Sequence, residues 1–274
     1  MTTSDPSWTS PRPHDLAEWW HGQAGPMQQI DFAVHVHYLR EYLQPGWRVL
    51  EAGAGSGRFT REIAPLVDRV VIVDLSEDKL QANRRHAEAL GYAGSIEAWQ
   101  VADMRDLSGE FGDDAFDVVV SFGGPLSYAL DQRVAALREL VRVTRPGGLL
   151  LLSARSLWGM LHENLPRILQ SVDPRLNREI IATGTLGPSK VGPVDRFWHA
   201  YRSDEFREFI TDAGCEVLQL SASNCLTSTW DAVLSTWRDD EKVWNHLIEL
   251  EIEACCEPGC LDMGTHILAV AQKL

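Results

Sequence analysis

The clearest chemistry in this sequence belongs to one acid and three glycines at alternate positions: Glu51, Gly53, Gly55 and Gly57. The apolar run before them is typical of the end of a buried strand, and a helix-forming run opens at Arg58. Alternating glycines permit a tight turn in which backbone N–H groups approach a ligand closely. The helix N-terminus behind such a turn favours negative charge. The stretch therefore predicts a cofactor-binding loop between a strand and a helix.

Two cofactor classes use a turn of this kind. A dinucleotide-binding turn follows the pattern G-x-G-x-x-G, whereas Gly57 arrives one position too early for that pattern. Glu51 stands just ahead of the loop, where a carboxylate would repel a pyrophosphate but suits a cofactor with a cationic amino-acid tail. An ordinary strand-to-helix turn without a ligand is the remaining interpretation of this stretch taken alone.

Together with three later stretches, the loop resembles the first motif of the class I S-adenosylmethionine-dependent methyltransferases. The later stretches are Val70–Asp74, Val101–Met104 and Phe116–Pro125. The resemblance covers residues 45–155 and implies S-adenosylmethionine as the cofactor. The rhythm of strand, helix and strand in this region agrees with it and predicts an α/β, Rossmann-like fold. The expected fold is a doubly wound, seven-stranded, mostly parallel sheet with helical cap insertions.

The resemblance also assigns roles to residues of this sequence. It implies that Asp74 binds the ribose hydroxyls and that Asp103 with Met104 meets the adenine, although Asp103 could equally serve a turn or a cap. Glu51 and the backbone at Gly53 would meet the sulfonium and the amino-acid tail. The cofactor-binding set is Glu51, Gly53, Ala54, Gly55, Gly57, Asp74, Leu75, Asp103, Met104 and Ser121.

The candidates for catalysis are His199, Tyr201 and Tyr128. Tyr128 follows the fourth predicted strand, near the expected position of the methyl group. His199 and Tyr201 lie in an aromatic stretch before a predicted helix, and a histidine is suited to accept a proton near neutral pH. Packing of that aromatic stretch is the alternative interpretation. His162 and Glu163 are weaker candidates on an inserted helix.

The pattern of elements divides the chain into a core and additions to it. The predicted parts are N-terminal lid helices (1–44), the S-adenosylmethionine-binding core (45–155), a cap insertion (156–202), a core continuation (203–222), a second cap insertion (223–264) and the last core strand (265–274). Long insertions at the carboxyl edge of such a sheet are usually functional. Their tryptophans would suit the walls of a small-molecule pocket or an interface with a second subunit.

The individual elements follow from periodicity and from stop residues. The predicted helices are 15–20, 30–43, 58–67, 76–90, 132–143, 156–170, 203–214, 230–237 and 242–254. The predicted strands are 48–50, 68–74, 97–101, 116–122, 149–154, 215–222 and 266–272, and 184–194 is expected to be a loop. The first two helices carry Trp19, Trp20, Phe32, His35 and Tyr38, which could cover the cofactor or simply pack in the core.

Composition excludes several classes of partner. The net charge of −14 and the pI near 5.0 argue against nucleic acid, and no apolar stretch is long enough for a membrane span. The first residues lack the pattern of a secretory signal, so a cytoplasmic location is expected. The five cysteines are expected to be reduced. A metal site at Cys255, Cys256 and Cys260 with His266 is conceivable, but these residues lack the paired C-x-x-C spacing of structural zinc, so no metal is expected.

The leading functional prediction is a methyltransferase that transfers a methyl group from S-adenosylmethionine to an N or O atom of a small molecule. The first alternative is a NAD-dependent oxidoreductase on a related fold, which would need the later glycine spacing and a Tyr-x-x-x-Lys or similar hydride site. The second is a non-catalytic S-adenosylmethionine-binding protein. A homodimer is left open.

Overall fold

A computed structural model describes residues 25–171, 173–187 and 197–274 of the chain. In these ranges the α-helices are α1 (Pro26–Tyr42), α2 (Thr60–Ile63), α3 (Glu77–Leu90), α4 (Pro125–Tyr128), α5 (Arg133–Val143), α6 (Leu157–Ser171), α7 (Pro174–Thr183), α8 (Ser203–Thr211), α9 (Asp231–Trp237) and α10 (Glu241–Cys255). The strands are β1 (Arg48–Ala52), β2 (Arg69–Asp74), β3 (Ile96–Val101), β4 (Phe116–Ser121), β5 (Thr144–Arg155), β6 (Thr185–Leu186), β7 (Trp198–His199), β8 (Cys215–Ala222) and β9 (His266–Lys273). The predicted helix 15–20, with Trp19 and Trp20, and residues 188–194 of the predicted loop lie outside the described residues.

The described strands form one large sheet in the order β3-β2-β1-β4-β5-β9-β8 and a small β6-β7 pair. Neighbouring strands from β3 to β5 are parallel, whereas β9 runs antiparallel to both β5 and β8. The prediction of a Rossmann-like, doubly wound, seven-stranded and mostly parallel sheet is confirmed. The chain reverses its winding direction between β1 and β4, and in open α/β sheets ligands bind beyond the carboxyl ends of the strands at such a point.

Two apolar layers cover the faces of the sheet. Successive side chains of a strand point to opposite faces, so Leu50 and Val119 pack in one layer while Val49 and Val118 pack in the other. All four side chains are fully buried. This explains why the central strands read as continuous apolar runs in the sequence.

Some boundaries differ from the prediction for local reasons. Helix α2 ends at Ile63, before the predicted end near residue 67, and Pro65 lacks the N–H that would continue the helix. Helix α7 was not predicted, although Asp173 caps it by accepting the N–H of Arg175 and Gly184 ends it in the left-handed region.

Helix α1 packs against the helices that follow β8. Both α9 and α10 pack on it, and the hydroxyl of Tyr38 lies 3.1 Å from Sγ of Cys256. Every helix of the described ranges is too short or too polar to cross a bilayer.

Candidate functional site

A cavity of about 520 Å³ opens at the carboxyl ends of β1 to β4. Seven residues of the predicted cofactor-binding set line it: Gly53, Ala54, Gly55, Asp74, Leu75, Asp103 and Met104. The predicted catalytic residue Tyr128 also lines it. The structure therefore brings together most of the residues that the motifs singled out.

The glycine loop folds back over the end of β2. The N–H groups of Gly53 and Ala54 both donate to the carbonyl of Val73, at 2.9 and 3.2 Å. Gly53 has a φ of 76°, and a Cβ on it would lie only 2.6 Å from Cγ of Pro125. The loop therefore needs glycine at this position for its backbone conformation and for its close approach to the β4–α4 turn.

Asp74 is fixed by the backbone on both sides of it. Its Oδ2 accepts the N–H of Gly55 at 2.8 Å, and its Oδ1 accepts the N–H of Ser76 at 2.9 Å. Each carboxylate oxygen has a second lone pair. Asp74 therefore reaches the cavity in one orientation with acceptor capacity to spare.

Asp103 lies beyond β3 and is paired with Arg105. The guanidinium donates to both carboxylate oxygens, and the Arg105 N–H donates to Oδ1 at 2.9 Å. Burial alone would raise the pKa of Asp103, but the hydrogen bonds and charge of Arg105 hold it below its usual range. The carboxylate is thus anionic and oriented.

Three residues of the predicted cofactor-binding set lie outside the cavity lining: Glu51, Gly57 and Ser121. Glu51 lies beneath the glycine loop, where its Oε2 accepts the hydroxyl of Thr60 at 2.5 Å. Burial raises the pKa of Glu51 to about 8. Gly57 packs against Asn83, and Ser121 is fully buried at the end of β4. The side chain of Glu51 is thus buried beneath the loop, and its contact with an amino-acid tail stays a prediction.

His199 and Tyr201 also lie outside the cavity lining. The ring of His199 bonds to the hydroxyl of Thr185 at 2.8 Å, and burial lowers its pKa to about 4. Tyr201 is 2% exposed and packs against Phe206 and Phe209. These contacts agree with the alternative interpretation of the stretch as aromatic packing, and the acid–base role of His199 and Tyr201 stays a prediction.

Residues outside the predicted cofactor-binding set also line the cavity. Asp31 and Arg58 line it, with Arg58 Nη2 donating to Asp31 Oδ2 at 3.0 Å. His266 also lines it, and its Nδ1 lies 3.5 Å from Asp31 Oδ1. A Cβ placed on Gly124 would lie 3.6 Å from Nε2 of His266. The Nε2 edge of the imidazole ring therefore faces the loop after β4.

The charge of Asp31 is stabilised from several sides. Burial by itself would raise the pKa of Asp31, but His35, His266 and Arg58 outweigh it and hold the pKa well below its usual range. Burial lowers the pKa of His35 to about 4, and its Nδ1 lies 2.7 Å from the Asp31 carbonyl oxygen. The sequence signal for Asp31 is its position three residues before Val34, which places an acid on the buried, apolar face of α1.

The hydroxyl of Tyr128 is hydrogen-bonded to a basic side chain. Arg155 donates to the Tyr128 hydroxyl through Nη2 at 2.6 Å and through Nε at 3.0 Å. Glu163, a weaker candidate from the sequence, also lines the cavity, whereas His162 is exposed elsewhere on α6. The cavity lining therefore includes acidic, basic and hydroxyl groups besides the predicted cofactor-binding residues.

This arrangement agrees with the comparison with known families. Residues 49–148 match the family described as "Methyltransferase domain". Residues 49–148 are thus a methyltransferase domain. The match runs from β1 into β5 and so includes the glycine loop, Asp74 and Asp103. The resemblance stated from the motifs is confirmed, and S-adenosylmethionine is the cofactor of this domain.

Relatives of the methyltransferase domain are found in bacteria. An uncharacterised protein of Mycobacterium tuberculosis is 33% identical over 157 residues, which are 54% of this chain and 55% of that protein. A ubiquinone/menaquinone biosynthesis C-methyltransferase, UbiE, of Ectopseudomonas mendocina is 36% identical over 113 residues, which are 40% of this chain and 42% of that protein. The match thus spans about half the length of these curated relatives.

The fold extends beyond the methyltransferase domain. A solved structure of an S-adenosylmethionine-dependent methyltransferase from Methanosarcina mazei has a TM-score of 0.58 and 21% identity, and the alignment covers 86% of this chain and 97% of that one. At this identity the likeness concerns the fold alone.

The residues present fit S-adenosylmethionine. Asp74 has unused lone pairs for two ribose hydroxyls, and the cavity volume lies in the range of small-molecule sites. Gly53, Gly55, Asp74, Asp103 and Met104 would hold the cofactor.

Proposed function

We propose that the protein transfers a methyl group from S-adenosylmethionine to a nitrogen or oxygen atom of a small molecule. The observation that carries this proposal is the continuity of the cavity. Asp74 and Asp103 line the same cavity as Glu163 and His266. A cofactor bound at the first pair would therefore share one enclosure with an acceptor bound at the second. That proximity is the main requirement for a displacement reaction.

We assign acceptor binding to the part of the cavity lined by residues outside the predicted cofactor-binding set. Its polar groups are Asp31, Arg58, Tyr128, Arg155 and His266. Phe59 and Phe122 supply apolar surface beside them. A few polar groups among apolar walls are typical of small-molecule sites. Because both polar and aromatic side chains line this part, the favoured acceptor carries a hydrogen-bonding group next to an apolar body.

We assign proton removal to His266 in place of His199 and Tyr201. Bound S-adenosylmethionine supplies a methyl group on a sulfonium. His266 Nε2 would accept the proton that leaves the acceptor atom as its bond to the methyl carbon forms. Asp31 supports this role, because its anionic carboxylate near Nδ1 stabilises the protonated imidazole and orients the ring. Thr265 Oγ1, 3.2 Å from Nδ1, adds a second contact on that side.

A carbon acceptor is the second candidate. The specific reason is that the UbiE relative is named as a C-methyltransferase. The same base would then remove a proton from carbon or from an adjacent hydroxyl. Mass-spectrometric fragmentation of the methylated product distinguishes carbon from nitrogen and oxygen.

We retain a small-molecule acceptor rather than nucleic acid as the partner. The net charge of −14 opposes binding to a phosphate backbone. A cytoplasmic location and a homodimer stay predictions.

The test begins with calorimetric titration of the full chain with S-adenosylmethionine, S-adenosylhomocysteine and NAD. We expect both adenosyl ligands to bind and Asp74→Ala to weaken them. Asp68→Ala is the matched control, because Asp68 is exposed just before the opposite end of the same strand. Binding of NAD alone, or equal effects of the two variants, would contradict the assignment.

The second step is a screen of small amines, phenols, carboxylic acids and carbon acids with methyl-labelled S-adenosylmethionine. We expect label to appear in one of these products and His266→Gln to abolish it while cofactor binding persists. Tight cofactor binding without labelled product across the screen would favour the non-catalytic binding protein.

A further inference from the structure

A second cluster of chemically capable side chains lies outside the cavity. It comprises Cys225, Glu251 and Cys255, all buried, whose ligand atoms lie within 4.8 Å of one another. Glu251 and Cys255 are one helical turn apart on α10, and Cys225 lies in the loop after β8. Cys255 Sγ is 3.8 Å from Glu251 Oε1. Two such ligands on a tetrahedral zinc ion would lie roughly 3.5 Å apart, given typical Zn–S and Zn–O distances.

An independent observation concerns the carboxylate of Glu251. Its Oε1 accepts the backbone N–H groups of Cys225 and Leu226. Its Oε2 is buried and has no hydrogen-bond partner among the described residues. Within residues 25–171, 173–187 and 197–274, no basic side chain forms an ion pair with Glu251. A buried carboxylate oxygen without compensation is unfavourable, and a cation would supply that compensation.

We propose that Cys225, Glu251 and Cys255 bind a structural zinc ion. Two thiolates and a carboxylate suit Zn²⁺, and binding would release the two thiol protons to solvent. Cys260, which follows α10 in the chain, is the proposed fourth ligand, with water as the alternative. The absence of C-x-x-C spacing argued against a metal in the sequence. That argument missed Cys225 and Glu251, which only the fold brings to Cys255.

The zinc ion would stabilise one wall of the part of the cavity that we assign to the acceptor. Asn224, adjacent to Cys225, lines the cavity, and its Oδ1 accepts the N–H of Thr265 at 3.3 Å. Ser223 Oγ accepts the N–H of His266 at 3.1 Å. The site joins this loop to α10, which packs on the helix that carries Asp31. Metal binding itself does not depend on the proposed methyl transfer.

The test measures the metal content of the full chain, purified in reducing buffer without a polyhistidine tag. Inductively coupled plasma mass spectrometry is expected to find about one zinc ion per chain, as for a closed structural site. We expect Cys225→Ser, Cys255→Ser and Glu251→Gln to lower the zinc content at least about tenfold. Glutamine retains an oxygen for the two backbone N–H groups. A loss of zinc in Glu251→Gln would therefore show that the negative charge of the carboxylate is required.

Two controls are built into the chain. Cys256→Ser alters the adjacent thiol, which contacts Tyr38 instead, and Cys215→Ser alters a buried thiol at the start of β8. Both variants are expected to keep their zinc. Loss of zinc in the controls as well, or zinc content unchanged in Cys225→Ser and Cys255→Ser, would overturn the proposal.

A second measurement does not require any variant to fold. The metal-free wild-type chain is titrated with Co²⁺, and thiolate ligation is expected to produce a sulfur-to-cobalt charge-transfer band that Zn²⁺ removes. No band, or a metal-free chain whose intact mass is lower by two hydrogens because Cys225 and Cys255 form a disulfide, would overturn the proposal.

Discussion

Oδ1 of Asp31 lies 3.5 Å from Nδ1 of His266, although the two residues come from the first and last elements of the described chain. Helix α1 carries the acid, and β9, which pairs with β5, carries the imidazole. The acid also accepts from Arg58, which follows the glycine loop. The pair therefore depends on three distant segments meeting at one edge of the sheet.

His266→Gln is predicted to reduce kcat by about 10²–10⁴-fold, the usual contribution of a general base. Asp31→Asn is predicted to reduce kcat by less, because it alters the orientation of the ring and not the base itself. Steady-state kinetics with a methyl acceptor provide the measurement, with KM for S-adenosylmethionine expected to stay constant. His37→Gln, on the same helix as Asp31 but partly exposed, is the control. Equal activity of His266→Gln and wild type would exclude this base.

His199→Gln and Tyr201→Phe are predicted to leave kcat unchanged. Both side chains lie outside the cavity lining, and the pKa of His199, lowered to about 4 by burial, makes it a weak base. Any effect is expected in the free energy of unfolding, because both rings are buried. A large fall in kcat with an unchanged urea midpoint would instead indicate a catalytic role for the substituted residue.

Glu51→Gln is predicted to make the free energy of unfolding less dependent on pH. Burial raises the pKa of Glu51 from its ordinary 4.5 to about 8. The folded chain thus binds this proton more tightly than the unfolded chain, so stability is lost as the pH rises from 4.5 to 8 and the loss is complete above 8. The free energy of unfolding of Glu51→Gln, relative to that of the wild type, should therefore rise across this window by on the order of a few kcal/mol.

Urea unfolding without cofactor, at several pH values across this window, tests the prediction for Glu51. The amide of glutamine retains an oxygen for the Thr60 hydroxyl, so the network around it is preserved. Parallel stability curves for the two proteins would show that Glu51 does not titrate in this range.

Gly53→Ala is predicted to destabilise the chain more than Gly55→Ala. Both glycines have positive φ, which is unfavourable for alanine by roughly 1–2 kcal/mol. Only at Gly53 would the new Cβ also overlap Pro125, which adds about 1–3 kcal/mol. Gly46→Ala, with positive φ and open space around it, is the matched control and should resemble Gly55→Ala. The measurement is urea unfolding, and equal losses for all three variants would contradict the packing argument.

The sequence by itself determined the sheet and the cofactor part of the cavity. The glycine loop, Asp74 and Asp103 each follow a strand directly, and parallel strands bring their carboxyl ends to one edge. Short-range order in the chain is therefore enough to place these groups together. Ser76 and Gly91 likewise bound α3 as predicted, because caps act within one turn.

Only the tertiary structure decided the acceptor part. Asp31 and His266 read as members of a helix and of a strand, and nothing in their spacing indicates that they meet. The same holds for Cys225 and Glu251. Conversely, His199 and Tyr201 look chemically suitable but pack inward beside Arg155, whose carbonyl accepts the Tyr201 N–H. The physical reason is that long-range contacts arise from the packing of whole helices and strands. The sequence neighbours of a residue do not indicate which distant element its side chain will contact.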